Sequence, residues 1–130
     1  MPYYIGVRYK AYRKLEKRMV EKMKTERYET LKPLVEYYGD DVEFKYYSLS
    51  ALKTIKRLFD GEIINDWKLD YSIPAVYMTK HLYDGWSYLT IICFDDGTCE
   101  LSRFDKTTGK QIFKKDFKSL NRAMKSDAWF

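Results

Sequence analysis

Two cysteines, one histidine and a Glu-x-Lys triplet are the residues of this chain whose types could support metal or hydrolytic chemistry. Cys93 and Cys99 lie outside C-x-x-C spacing, and His81 brings the soft ligands to three where a structural zinc takes four. A three-residue loop, Asp95 to Gly97, would set Cys93 opposite Cys99 on an apolar face with Leu89, Ile91 and Leu101. A two-residue loop would put the thiols on opposite faces. No signal-like apolar core follows the N-terminus, so the pair reads as buried, reduced, structural thiols, with a structural role for His81 as well. Glu43-Phe44-Lys45 has the E-x-K shape in which nucleases pair a metal-binding carboxylate with a lysine. Such a site needs a second carboxylate on a neighbouring strand, and the segment before this one reads as helix. Gly-rich phosphate loops, nucleophile elbows and paired-histidine motifs are missing from the sequence. The expectation is a non-enzymatic protein with no metal and no other cofactor.

Charge is the stronger signal. The net +5 is uneven: residues 1–32 carry +6, residues 33–83 −2, residues 84–109 −3 and residues 110–130 +4. Two basic ends flank an acidic middle. At the first end, Lys10, Arg13, Lys14, Lys17 and Lys24 fall on one face of a helix expected from about Arg8 to Arg27. Tyr12, Leu15, Met19 and Met23 form the opposite, apolar stripe. A cationic face of this kind can lie along phosphates and release counterions. At the second end, Lys110, Lys114, Lys115, Lys118 and Arg122 follow one another closely. Between the ends, Asp95, Asp96, Glu100 and Asp105 make an acidic hairpin.

The elements that would position these groups follow from periodicity. Pro33 suits a first turn, so a break near Thr30 and a short second helix to Gly39 are expected. Val42, Phe44 and Tyr46 alternate as in a strand. A third helix follows, with Ser50 as N-cap, Leu52, Ile55, Leu58 and Phe59 facing the core, and Gly61 as its stop. Residues 62–85 carry little pattern beyond a short helix after Pro74. Residues 86–94, 98–105 and 110–113 then read as three strands joined by tight turns, and a final helix begins near Asp116. The prediction is one α+β domain spanning residues 1–130: N-terminal helices, then a three-stranded antiparallel meander followed by a helix. The longest purely apolar run, Ile91 to Phe94, is too short to cross a bilayer, so a soluble, cytoplasmic protein without membrane contact is expected.

Of the 13 tyrosines, three adjacent pairs (Tyr3-Tyr4, Tyr37-Tyr38 and Tyr46-Tyr47) should each place one ring outward, where it can serve an interface or stack on a base. Trp86, the turn Thr108-Gly109-Lys110, and Phe117-Lys118-Ser119 with Ala123 resemble the arm-site DNA-binding domain of phage-type tyrosine recombinases. The resemblance covers residues 86–124 and implies a three-stranded sheet laid in the major groove with a helix behind. It also implies a cationic sheet, whereas these strands and turns carry four carboxylates against Arg103 and Lys106.

The many Lys, Tyr, Ile and Asp residues suit an AT-rich genome, such as that of a phage or mobile element. In size and general character the chain is similar to small phage inhibitors of host defence nucleases, anti-CRISPR proteins among them. The first functional expectation is therefore an accessory protein that binds and inhibits a host nucleic-acid-handling complex. Its acidic hairpin would meet a basic groove and its basic helix would make further contacts. The alternative is direct DNA or RNA binding through the two basic ends. A third is an assembly protein whose tyrosines form a homo-oligomer interface.

Overall fold

A computed structural model describes residues 2–70 and 75–126, and within the first helix the side chains from Lys17 onward except Met19, Val20 and Met23. The first helix, α1, runs Pro2–Tyr38 without the break expected near Thr30. Pro33 lacks the N–H that would reach Glu29 and so removes one helical bond. The helix continues because Leu34 and Tyr38 are buried beyond it and Leu31 packs against the core before it. Arg27 adds an anchor, donating through Nη2 to the Phe44 and Lys45 carbonyls at 3.3 and 3.0 Å. The chain therefore turns back along the helix it has just left.

That returning segment is not the strand expected at Val42 to Tyr46. It forms two 3-10 turns, Gly39–Asp41 and Phe44–Tyr46, which bury Val42, Phe44 and Tyr47 and leave Tyr46 exposed. The second helix, α2, spans Leu49–Phe59. Its N-cap is Ser48 rather than Ser50: the Ser48 hydroxyl accepts from the Ala51 amide at 3.1 Å. Leu52, Ile55 and Leu58 recur on one face and are buried.

The sheet has five antiparallel strands, not three. They are β1 Lys68–Asp70, β2 Val76–His81, β3 Ser87–Cys93, β4 Cys99–Asp105 and β5 Gln111–Phe117, paired in chain order. The helix expected after Pro74 is strand β2. There Val76 and Met78 point into the core while Tyr77 and Thr79 point away, a period of two. Trp67 enters the core through a tight turn in which Asn65 and Asp66 both take positive φ, 50° and 65°. The last helix, α3 (Leu120–Met124), starts later than Asp116, which lies in β5; Ser119 Oγ caps it by accepting from Arg122 N at 3.3 Å.

Alternation assigns the two sheet faces. Val76, Met78, Leu89, Ile91, Cys93, Cys99 and Leu101 form the inner face and join α1, α2 and α3 in one apolar core. On the other face the Tyr88 and Phe104 rings stack with centroids 5.5 Å apart, and Thr90 and Ser102 are buried among their neighbours. No helix among the described residues is long and apolar enough to cross a membrane.

Candidate functional site

The four carboxylates of the hairpin do not lie together as one patch. Asp95 and Asp96 sit at one end of the β3–β4 hairpin and Asp105 at the other, separated by the length of β4. Two of them build turns. Asp96 Oδ1 accepts from the Thr98 amide at 2.9 Å and from the Thr98 hydroxyl, and these bonds hold its carboxyl below the usual range. Asp105 Oδ1 accepts from the Thr107 and Thr108 amides at 2.8 and 3.2 Å. Glu100 pairs with Lys114 at 3.3 Å on the outer face. Asp95 instead joins two residues that sequence reasoning passed over, Asp40 and Asp41: with them and Glu43 it lines a cleft of about 360 Å³ between the 3-10 turns and the hairpin tip.

The thiols take the register of the three-residue loop. Phe94 N donates to Thr98 O at 2.9 Å, Gly97 takes φ 85°, and Cys93 stands directly opposite Cys99. Both are reduced and buried, with Sγ atoms 3.6 Å apart. That contact and burial push the Cys93 thiol above its ordinary value. His81 is not buried like the thiols: it is exposed on the outer face, its ring 6.1 Å from that of Tyr88. Glu43 and Lys45 lie in the 3-10 segment, 3.9 Å from each other, so the E-x-K triplet has no strand beneath it. Among the described residues no three of His, Cys, Asp and Glu gather as metal ligands do.

The second basic end places its cations along one edge of the sheet. From Lys106 to Lys125 there are seven Lys/Arg (Lys106, Lys110, Lys114, Lys115, Lys118, Arg122 and Lys125), all exposed, and one acid, Asp116. They run from the β4–β5 turn along β5 to α3. Strand β5 lies at the edge of the sheet and is longer than the 110–113 expected, because its charged stretch Lys114 to Asp116 continues the pairing with β4. Lys115 Nζ sits 5.2 Å from the centroid of the Phe117 ring. At the first basic end, Lys17 and Lys24 are exposed, while the side chains of Lys10, Arg13 and Lys14 fall outside the described residues.

Beside the β4–β5 turn lies an aromatic patch. Trp86 is 47 % exposed and Phe113 44 %. Arg103 neighbours both residues. Its guanidinium carbon sits 4.8 Å from the centroid of the Trp86 ring, and it is the cross-strand partner of Phe113. A hydrogen-bonded node holds Arg103 in place: Nη2 donates to Asp84 Oδ2 at 2.8 Å and Nε to Ser87 Oγ at 3.1 Å. Asp84 Oδ1 in turn accepts from the Trp86 and Ser87 amides, both at 3.1 Å. Desolvation, the largest single influence on Asp84, acts to raise it. The bonds from Ser87, Trp86 and Arg103 together outweigh that and hold its carboxyl below the ordinary value. Trp86 O accepts from Lys106 N at 2.9 Å, so the patch adjoins the cationic edge. The signal in the sequence was Ile112-Phe113, two adjacent apolar residues in a strand otherwise charged or polar from Lys110 to Asp116, where one must face outward.

Of the tyrosine pairs, Tyr37 and Tyr46 face out while Tyr38 and Tyr47 are buried; Tyr3 and Tyr4 fall outside the described side chains. The residues of the recombinase resemblance are spread over the β3 entrance, the β4–β5 turn and α3, on strands that are the last three of five. Comparison with family models, with curated proteins and with solved structures finds no match to this chain.

Proposed function

We propose that this protein binds nucleic acid directly and without catalysis, along the cationic edge formed by the β4–β5 turn, β5 and α3. The observation that carries this reading is the run of seven exposed cations with a single acid among them. Such a run can neutralise successive phosphates, and the counterions it releases drive association. An edge strand also turns alternate backbone N–H groups outward, and these donate to phosphate oxygens. The test is fluorescence anisotropy of labelled duplex DNA, single-stranded DNA and RNA at low and physiological salt. Micromolar or tighter binding that weakens steeply with salt is expected. No binding at low salt would overturn the reading, because a cationic surface acts most strongly there.

A second reading, inhibition of a host nucleic-acid-handling complex, is favoured by the cleft that Asp40, Asp41, Glu43 and Asp95 share. Carboxylates grouped in this way suit the basic groove of a nuclease. Reversing Asp40, Asp41 and Asp95 to lysine should then relieve inhibition of a purified defence nuclease in a cleavage assay. Equal inhibition by the reversed protein would refute it.

A further inference from the structure

We infer that the nucleic acid taken by the cationic edge is single-stranded, and that its unpaired bases stack on Trp86 and Phe113. The inference rests on the proposed reading of that edge and names the ligand it selects. Cations alone do not discriminate duplex from single strand, since both present phosphates. The aromatic rings do. A duplex keeps its base faces within the stack, whereas a single strand can lay them against exposed side chains.

The arrangement here meets both requirements in one place. Trp86 and Phe113 keep nearly half their surface open to solvent. Arg103, held by Asp84 and Ser87, lies against the Trp86 ring and so preorganises it, and its cross-strand neighbour is Phe113. Lys106 is bonded through its backbone to Trp86, and Lys110 precedes Gln111 at the start of β5. A strand whose phosphates follow Lys106, Lys110 and β5 therefore passes beside the rings. The outer sheet face is a poorer platform: its Tyr88 and Phe104 rings stack on each other, and Lys114 among its nearby cations is paired with Glu100.

The experiment compares a labelled oligothymidine, its RNA counterpart and a duplex of equal length, each titrated with the wild type, Trp86→Leu and Phe113→Leu. Both substitutions remove a ring at an exposed site and keep an apolar side chain, and circular dichroism checks that the fold is intact. The expected result is tighter binding of the single strands than of the duplex. Each substitution should weaken single-strand binding by about tenfold, as loss of one stacking partner does. The salt slope and the duplex affinity should stay as they were. The DNA and RNA arms separate the two sources of single strand. Equal binding of duplex and single strand, unaffected by either substitution, overturns this inference and leaves the phosphate-binding edge standing. No binding of any probe overturns both, and the patch would then belong to a protein interface.

Discussion

Replacing Lys110, Lys118 and Arg122 together by alanine should change how binding depends on salt, by an amount that follows from the structure. Seven cations are exposed along the edge, but Lys114 is partly neutralised by Glu100 at 3.3 Å, which leaves six. With about 0.7 counterions released per single-strand phosphate contact, six contacts give a slope of log K against log salt near −4. Removing three contacts should halve it, to about −2. Between about 50 and 200 mM salt the wild type should then lose affinity roughly 300-fold and the triple variant only about 20-fold. All three side chains are exposed, so the fold should not change. Lys53→Ala is the control: that lysine is exposed too, but it sits on α2 and pairs with Glu26 at 3.0 Å. Anisotropy titrations at four or more salt concentrations measure the slopes. A triple variant with the wild-type slope would refute the edge as the contact surface, and so would a Lys53→Ala protein that loses as much.

Other outcomes test the framework beneath the site. Tyr47→Phe removes the buried bond from the phenol to the Cys93 carbonyl at 2.8 Å, and should cost about 1–3 kcal/mol in urea unfolding; an unchanged midpoint would show that the bond contributes nothing. Gly97→Ala should destabilise by about 1 kcal/mol or more, since Gly97 has φ 85° and an added Cβ would meet the Tyr46 carbonyl at 3.2 Å. Asp84 has a lowered folded-state value, so its stabilising contribution is complete above the unfolded carboxylate value of about 3.9 and is lost as pH falls through the folded one. Acid unfolding of Asp84→Asn should accordingly depend less on pH below about 4; an identical profile would refute the node. Cys93 and Cys99 should resist a thiol reagent in the native protein and react together on unfolding, because both are buried and the Cys93 thiol is pushed up. Rapid native-state modification would contradict their placement.

How much was legible beforehand depended on the range of the forces involved. Local signals marked α2 through its apolar face and the three strands of the meander through β-forming residues and tight turns, although β5 runs on to Phe117. Turn chemistry narrowed the Cys93–Cys99 register to two options, and the pairing of Phe94 with Thr98 across the turn selected one. Pattern failed where tertiary contacts decide. Pro33 is tolerated because the core on either side retains the helix, and β1 has three residues whose pairing with β2 alone makes them a strand.

The sequence by itself determined the charge asymmetry and the helix and strand periods of the clearest segments. These are properties of single residues and of near neighbours along the chain. Only the tertiary structure decided which charges act together. It divided the acidic hairpin among turn caps and an ion pair, gathered Asp40, Asp41, Glu43 and Asp95 into a cleft, and set Trp86, Arg103 and Phe113 beside a cationic edge. Residues distant in the chain become neighbours through strand pairing and packing, and a one-dimensional pattern does not contain that distance.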